Sequence, residues 1–328
     1  MQSPITGILR EATRKKEDKL NILTFPTHER YQENLAKTGH NFFLLNGQNI
    51  KTWNKTFAPI PQNTRILQNY IPIDVDIDLV LSQNKFGQFN IASKVASSIN
   101  VPLISIEHTL PPPNGEAMIK AFRSMVGNVN LFISEYSRDM WGFSNKEALV
   151  IHHGIDTEAF CPGEEARHNN VLSVVNDWIN RDWCCGFRLW ESIVRDDVPV
   201  TIVGDTPGLS KPAKNHQELL AAYQKSKIFL NTSTVSPVPT ALMEAMACGC
   251  AVVSTATCMI PEIIQNGENG LISNNPEHLR MFVKELLGND ELCQKLGQAA
   301  RKTILERFPL SNFLDKWNNI FEDTATRR

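Results

Sequence analysis

Residues 236–253 read Ser236-Pro237-Val238-Pro239-Thr240-Ala241-Leu242-Met243-Glu244-Ala245-Met246-Ala247-Cys248-Gly249-Cys250-Ala251-Val252-Val253. The prolines and Thr240, a residue type that caps helices, predict that a helix begins here, and Gly249 stands where a left-handed C-terminal cap is wanted. The mostly apolar stretch 228–231 precedes this helix, and the mostly apolar stretch 251–254 follows it. The stretch is therefore predicted to form a strand–helix–strand unit of a parallel α/β sheet.

The start of this helix is predicted to bind an anion. Its first backbone N–H groups have no partner within the helix, and the helix dipole adds positive potential, which suits the pyrophosphate of a nucleotide. Glu244 lies about one turn into the helix, where a carboxylate can accept hydrogen bonds from both ribose hydroxyls. The alternative is an ordinary capped helix with Glu244 on its solvent face.

Short apolar runs alternate with amphipathic stretches through most of the chain. Predicted strands are 21–25, 41–45, 77–81, 101–106, 129–134 and 148–152, then 171–175, 200–203, 228–231 and 251–254. Predicted helices are 30–37 and 90–98, then 187–194, 217–225 and 240–248, and the turn-rich stretch 161–170 separates the two series. We predict an α/β protein with two doubly wound, Rossmann-like domains facing a cleft, in which ligands bind at the carboxyl ends of the strands.

The composition narrows the range of partners. A chain of 328 residues is about twice a typical domain of ~150 residues. Its 33 basic and 35 acidic side chains give a net charge of −2, so an obligatory nucleic-acid partner is not implied. Seven cysteines without CxxC or Cys/His spacing predict no metal site and the reduced thiols of a cytoplasmic protein. The mixed-charge cluster 14–19 predicts a solvated terminal helix, with a peripheral membrane contact as the alternative.

Several motifs resemble glycosyltransferase family four, a family of retaining, nucleotide-sugar-dependent enzymes with the GT-B fold. Besides residues 236–253 they are Ile260-Pro261-Glu262-Ile263-Ile264, Asn266-Gly267-Glu268-Asn269-Gly270-Leu271-Ile272, His153-Gly154-Ile155-Asp156-Thr157-Glu158-Ala159-Phe160-Cys161-Pro162, Val203-Gly204-Asp205-Thr206-Pro207 and Ser134-Glu135-Tyr136-Ser137-Arg138. The resemblance runs from about residue 75 to the C-terminus. It implies an acceptor-side domain over 1–162, a nucleotide-sugar-binding domain over 163–307, and a helix over 308–328 that crosses back to the first domain.

The resemblance also implies a donor site, although two of its usual features are missing. Glu244 matches the family glutamate associated with the ribose, but the first glutamate of the pair is replaced by Ser236. Asp177 and Cys185 stand where an arginine and a lysine usually neutralise the diphosphate. Since the leaving diphosphate still needs a cation, Arg181 is the expected catalytic substitute. The expected donor-binding residues are Glu244, Ser236, Pro237, Val238, Pro239, Thr240, Ala241, Gly204, Lys211 and Lys214.

Other candidates follow the first-half strands. His108 matches a strand-end histidine that family members carry near the transferred sugar, and it is the second expected catalytic residue. His28, Glu29 and Arg30 follow the first predicted strand and are expected to touch the acceptor. The tryptophans 178 and 183 are predicted either to stack on a base or sugar, or to pack within a domain.

The resulting hypothesis is a metal-independent glycosyltransferase with no cofactor, using a UDP- or GDP-linked sugar and a hydroxyl acceptor that is a glycan, a lipid-linked molecule or a small molecule. Two alternatives remain open at this point. One is transfer to hydroxymethylated bases of DNA, and the other is a nucleotide-sugar-binding protein that has lost catalysis.

Overall fold

The chain forms two compact units in a computed structural model that describes residues 18–47, 50–55, 58–68, 70–72, 75–112 and 115–326. Unit 1 consists of Met1–His152 and Ser311–Arg328, and unit 2 consists of His153–Leu310. The domain boundary expected at 162 therefore falls inside unit 2. Residues 14–17 of the mixed-charge cluster lie outside the described residues.

Unit 1 is built on a seven-stranded parallel sheet in the order β3-β2-β1-β4-β5-β6-β7. Its strands are β1 (Asn21–Thr24), β2 (Asn41–Asn46), β3 (Thr64–Gln68), β4 (Leu79–Ser82), β5 (Leu103–Glu107), β6 (Val129–Phe132) and β7 (Leu149–Val150). The strand order changes direction between β1 and β4, and ligands of doubly wound folds bind at such switch points.

Four helices of unit 1 connect these strands: α1 (Glu29–Ala36), α2 (Phe89–Ile99), α3 (Glu116–Arg123) and α4 (Glu135–Met140). The helix α4 begins with a capping box, because the side chains of Ser134 and Ser137 each bind the other's backbone N–H group. The motif at residues 134–138 therefore forms the start of a helix.

Unit 2 contains a five-stranded parallel sheet in the order β12-β11-β10-β8-β9. The strands are β8 (His168–Val174), β9 (Val200–Val203), β10 (Ser226–Asn231), β11 (Ala251–Ser254) and β12 (Leu271–Ile272). All residues of β10 and β11 are buried, as expected for central strands that are covered on both faces.

The helices of unit 2 are α5 (Asp182–Cys185), α6 (Phe187–Val194), α7 (His216–Lys225), α8 (Thr240–Ala247), α9 (Ile260–Ile263), α10 (Pro276–Gly288) and α11 (Asp290–Arg307). A 3₁₀ turn, Arg195–Asp197, follows α6. The apolar side chains of α8 pack into one core cluster with β10, β11 and α11.

The last helix, α12 (Leu310–Ala325), belongs to unit 1 from Ser311 onward. It buries Phe313, Trp317 and Phe321, and the indole N–H of Trp317 donates to the hydroxyl of Tyr31 on α1 over 3.1 Å. Among the residues that the structure describes, no helix has the length and apolarity needed to cross a membrane.

The predicted fold, two Rossmann-like α/β units with parallel sheets, is confirmed. Most predicted strands lie within two or three residues of their observed positions, and the two-residue strand β12 was not among those predicted. The strand β3 was also not predicted. Its sequence, Thr64-Arg65-Ile66-Leu67-Gln68, contains only a short apolar core, and the strand lies at the edge of the sheet. The predicted separating stretch 161–170 is also too long, since β8 begins at His168.

Candidate functional site

The loops that follow β8, β9 and β10 are packed against one another at the carboxyl edge of the unit 2 sheet. Gly204 has φ +141°, and a Cβ atom there would lie 1.9 Å from the carbonyl oxygen of Val175. Gly186 has φ +64°, and a Cβ atom there would lie 2.1 Å from the carbonyl oxygen of Thr232. Both positions require glycine, because any side chain would separate the neighbouring loops.

Hydrogen bonds fix the β8 loop against the β9 loop. The backbone N–H of Asp177 donates to the carbonyl oxygen of Asp205 over 2.7 Å, and the N–H of Asp205 donates to Oδ1 of Asn176 over 2.8 Å. The N–H of Trp178 donates to Oγ1 of Thr206 over 3.0 Å. Asp177 itself has φ +50°, a left-handed conformation that short polar residues tolerate.

Arg181 lies at the end of this fixed loop. Its backbone N–H donates to the carbonyl oxygen of Asp177, and its carbonyl oxygen accepts from the N–H groups of Cys184 and Cys185. The residue is exposed, and within the described part of the chain its guanidinium has no hydrogen bond or ion pair. The backbone is therefore held while the charge remains available.

The two lysines expected at the donor site are exposed and lie on the β9 loop. The carbonyl oxygen of Lys211 accepts from the N–H of Gly204 over 3.0 Å, which ties this residue to the carboxyl end of β9. Lys214 lies two residues before α7, where its backbone N–H donates to Oε2 of Glu218. Lys211 is thus anchored closer to the strand end than Lys214.

The helix α8 begins after Pro239 without a side-chain cap. The expectation that Thr240 caps it is wrong: Thr240 is the first helical residue, and its N–H donates to the carbonyl oxygen of Val238. Among the described residues the N–H of Ala241 has no acceptor. The helix start therefore offers a backbone donor for an anion.

The C-terminus of α8 has the predicted left-handed cap at Gly249, where φ is +77°. The N–H of Cys250 donates to the carbonyl oxygen of Ala245, and the N–H of Gly249 donates to that of Met246, which is the Schellman pattern. This cap ends the helix and directs the chain into β11.

Glu244 is 8% exposed, so the alternative that places it on the solvent face of the helix is wrong. Its Oε2 accepts a hydrogen bond of 2.8 Å from the hydroxyl of Tyr223, a fully buried residue of α7. Burial, followed by the nearby Glu244 carboxylate, raises the pKa of Tyr223 well above its usual value, so this hydroxyl remains a donor.

The segment between β10 and α8 is half-buried from Ser236 to Val238 and buried at Pro239. Its preceding residues are held by Cys184, whose carbonyl oxygen accepts from the N–H groups of Thr234 and Val235. Within the described residues no hydrogen bond of the Ser236 hydroxyl is found. A neutral hydroxyl thus occupies the position at which the resemblance implies a carboxylate.

The two tryptophans of the β8 loop differ. Trp178 is fully buried, its ring lies 5.0 Å from that of Trp190, and its indole N–H donates to the carbonyl oxygen of Cys185 over 2.9 Å. Its role is packing. Trp183 is 70% exposed and remains open to a ligand.

Burial raises the pKa of Cys185 to about 12, so this thiol supplies no charge in place of the missing lysine.

In unit 1 the structure brings together two of the predicted residues at the carboxyl edge of the sheet. The ring centroids of His28 and His108 lie 4.6 Å apart, and the ring of Tyr31 meets His108 edge-on at 4.5 Å. His108 is buried and follows β5, whereas His28 is exposed and precedes α1. Desolvation, and then the charge of Lys51, lowers the pKa of His28, which favours its neutral form.

The neighbouring Glu29 has structural partners. Its carboxylate is 3% exposed, pairs with Lys51 at 2.9 Å, and accepts the N–H of Asn54 over 3.0 Å. Burial raises the pKa of Glu29, but its hydrogen bond with Lys51 and further bonds outweigh this and lower it overall. Arg30, by contrast, is exposed. His28 and Arg30 are thus better placed than Glu29 for an acceptor.

Sequence reasoning missed a buried ionisable pair at the same edge. Oε2 of Glu107 accepts the backbone N–H of Lys85, and the Lys85 ammonium donates to Oγ of Ser105 and to the carbonyl oxygen of Met125. Burial lowers the pKa of Lys85 to about 8, although Glu107 opposes the shift, and burial raises the pKa of Glu107. No local pattern indicates this pair, since Lys85 lies in a polar loop.

Comparisons of the sequence with known proteins consistently find similarity to glycosyltransferases. Residues 209–303 match the model described as glycosyl transferases group 1. The chain is 31% identical over 262 residues to N-acetyl-alpha-D-glucosaminyl L-malate synthase of Bacillus anthracis, covering 74% of this chain and 63% of that enzyme. It is 25% identical over 315 residues to an uncharacterised glycosyltransferase of Methanocaldococcus jannaschii, covering 88% of this chain and 86% of that protein.

Solved structures agree with the fold. Sucrose-phosphate synthase of Thermosynechococcus elongatus superimposes with a TM-score of 0.74 at 13% identity, over 93% of this chain and 99% of that chain. HepE of Anabaena, solved with UDP and glucose, gives 0.72 at 13% identity, over 91% and 98%. These structures share the fold of this chain, and the resemblance to group 1 glycosyltransferases is carried by residues 209–303 and by the curated relatives.

Proposed function

We infer that this chain is a group 1 glycosyltransferase, and we propose that it transfers a sugar from a nucleotide-sugar donor to a hydroxyl group of an acceptor. The observation that carries the proposal is the uncapped start of α8 at the carboxyl edge of the unit 2 sheet, with the buried Glu244 carboxylate one turn farther along. The backbone N–H of Ala241 and the helix dipole suit a diphosphate, and the carboxylate suits ribose hydroxyls.

The donor lies, in this proposal, across the loops that follow β8, β9 and β10. Residues 236–241 approach the phosphates and the sugar, while Gly204 keeps the β9 loop close to the β8 loop. The presence of UDP in the HepE structure supports a uridine nucleotide as the first donor to test.

The chemical step needs positive charge at the leaving diphosphate. Arg181 is the best placed residue, since its backbone is fixed and its guanidinium is exposed, and Lys211 is the second. We propose a retaining and metal-independent transfer in which the departing phosphate takes the proton of the acceptor hydroxyl. His108 contacts the transferred sugar in this scheme.

The acceptor is proposed to bind in unit 1 beside His28, Arg30 and His108. The name of the Bacillus anthracis relative makes N-acetylglucosamine and L-malate the first donor sugar and acceptor to test. Cationic and imidazole groups at this edge are compatible with a carboxylate-bearing acceptor.

A second candidate is a protein that binds nucleotide sugars without transferring them. Two observations favour it: the neutral Ser236 at the position of the first family glutamate, and the buried Cys185 thiol at the position of the family lysine. Transfer to hydroxymethylated DNA is less well supported, because the chain carries a net charge of −2.

The test is release of nucleoside diphosphate from a panel of UDP- and GDP-linked sugars, with L-malate, with hydroxymethylated DNA, and without acceptor. We expect acceptor-stimulated release that EDTA does not reduce, and a product that NMR shows to retain the donor's anomeric configuration. Binding without release across the panel would favour the inactive candidate. Stimulation by hydroxymethylated DNA alone would favour the nucleic-acid one.

Glu244→Ala tests the donor site directly. Loss of the ribose hydrogen bonds is expected to weaken nucleoside diphosphate binding by about 1–3 kcal/mol, measured by calorimetry. Glu268→Ala, at an exposed position of unit 2, is the matched control and is expected to bind as the parent does. Equal affinity of Glu244→Ala and the parent would exclude Glu244 from the site.

A further inference from the structure

We infer that Tyr223 is a positioning residue for donor recognition, holding one oxygen of Glu244 so that the carboxylate is presented to the ribose in a single orientation. The inference rests on the proposed function, since it starts from the ribose contact of Glu244. Tyr223 lies 21 residues before Glu244 in the chain and is fully buried.

The contact between the two side chains is short and buried. The hydroxyl of Tyr223 donates to Oε2 of Glu244 over 2.8 Å, and the two residues are 0% and 8% exposed. A carboxylate has about four acceptor positions, and the phenol occupies one of them. Hydrogen bonds to ionised acceptors are also stronger than neutral ones, which makes this contact able to select a rotamer.

The Tyr223 ring is itself immobilised by aromatic neighbours. Phe160 lies 6.0 Å from it with the ring planes at 73°, and Phe229 of β10 lies 6.0 Å away on a tilted ring. Phe160 is held in turn by His216, edge-on at 4.9 Å. Phe160, which belongs to the motif at residues 153–162, thus packs against the Tyr223 ring whose hydroxyl binds Glu244.

The backbone of Tyr223 is fixed as well. Its carbonyl oxygen, near the end of α7, accepts from Nη1 of Arg167 over 2.8 Å and from Sγ of Cys250 over 3.1 Å. Arg167 also donates to the carbonyl oxygens of Ser226 and Cys248. Its guanidinium therefore binds backbone carbonyl groups of α7, of β10 and of the end of α8. The backbone and the hydroxyl of Tyr223 are therefore both held in place without a ligand.

A fixed carboxylate has a measurable consequence. The gain from each ribose hydroxyl depends on the angle at which it meets the carboxylate oxygen, so a mobile Glu244 would distinguish ribose from deoxyribose poorly. We expect Tyr223→Phe to reduce the preference for UDP over 2′-deoxy-UDP and for GDP over 2′-deoxy-GDP. A merely structural tyrosine would weaken both members of a pair equally.

The experiment measures the ratio of Kd values for each pair by calorimetry in the full chain. In the parent we expect 2′-deoxy-UDP, or its guanine counterpart, to bind about tenfold more weakly than the ribonucleotide. In Tyr223→Phe we expect this ratio to fall to about two or less. Tyr31→Phe removes a buried hydroxyl from unit 1 and is expected to leave the ratio at the parent value.

A parent-like ratio in Tyr223→Phe would overturn the inference, and so would a parent that binds ribo- and deoxyribonucleotides equally while transferring sugar. The latter result would leave the proposed function standing. If Tyr223→Phe does not fold, Phe160→Leu keeps the hydroxyl and loosens the ring. We expect an intermediate ratio for it, and a parent-like ratio would count against the inference. Failure of the parent to bind any nucleotide would remove the proposed function and this inference together.

Discussion

At the residue scale, Arg181 combines a fixed backbone with an exposed charge. Diphosphate departure builds negative charge in the transition state, so a cation that acts there lowers the barrier more than it tightens ground-state binding. We expect Arg181→Ala to lower kcat about 10- to 1,000-fold with a smaller change in KM. Steady-state kinetics with the best donor from the panel measure this.

The control for this prediction is Arg188→Ala, an exposed arginine of α6 whose ion pair is a long contact of 3.6 Å with Asp182. We expect it to retain parent kinetics. If Arg181→Ala also behaves as the parent does, Lys211 becomes the residue that offsets the leaving charge.

The buried ammonium of Lys85 makes the stability of unit 1 depend on pH. Because burial lowers its pKa from 10.5 to about 8, the unfolded chain holds this proton more tightly than the folded chain between these pH values. The contribution of Lys85 to the free energy of unfolding therefore rises as pH increases from about 8 to 10.5, and below pH 8 the folded state carries the full penalty of up to about 3 kcal/mol.

We expect the free energy of unfolding of the parent, relative to Lys85→Met, to increase between about pH 8 and pH 10 in denaturant titrations. Lys94→Met, at an exposed lysine of α2, controls for other groups that titrate in this range and is expected to give a difference independent of pH. A pH-independent difference for Lys85→Met would mean that the ammonium is not desolvated in the folded state.

At the element scale, the loop after β9 depends on one glycine. A side chain at Gly204 would place Cβ 1.9 Å from the carbonyl oxygen of Val175, at a φ of +141° that side-chain-bearing residues rarely adopt. Gly208, four residues later in the same loop, has φ +84°, and a Cβ atom there would meet no other atom within 4 Å. Comparing substitutions at Gly204 and Gly208 therefore distinguishes the cost of a steric clash from the cost of a positive φ alone.

We expect Gly204→Ala to lower the free energy of unfolding by about 3 kcal/mol or more, and Gly208→Ala by about 1 kcal/mol. Denaturant unfolding provides both values, and calorimetry is expected to show weaker nucleotide binding for Gly204→Ala because the β8 and β9 loops separate. Similar losses for the two variants would show that the close approach to Val175 is not maintained in solution.

The same elements show how far the sequence predicts the molecule. Mostly apolar stretches such as 228–231 identify buried strands, and Gly249 identifies a helix end, because both signals are local. The partner of Glu244 could not be predicted, since Tyr223 reaches it only through the packing of α7 against the neighbouring elements. Likewise a glycine in the sequence does not reveal that Gly186 lies against Thr232.

At the scale of the whole molecule, the last helix belongs to unit 1, although the residues of unit 2 separate it in the sequence from the rest of unit 1. Ser311–Arg328 are part of unit 1. Trp317 is fully buried there, its ring lies 4.8 Å from that of Phe321, and its indole N–H binds Tyr31. Stability of unit 1 thus depends on residues that are distant in sequence.

Trp317→Ala is expected to lower the free energy of unfolding of unit 1 by about 3–5 kcal/mol, because it leaves a cavity and an unpaired tyrosine hydroxyl. Hydrogen exchange followed by mass spectrometry resolves the two units, and we expect faster exchange in β1, β2 and α1 with unchanged exchange in β8–β12. Since the proposed donor residues lie in unit 2, UDP affinity should stay within about twofold of the parent. Met281→Ala, at an exposed position of α10, serves as control. Loss of UDP binding in Trp317→Ala at a temperature where unit 2 remains protected would show that donor binding needs residues of unit 1, and the donor site would then have to be reassigned.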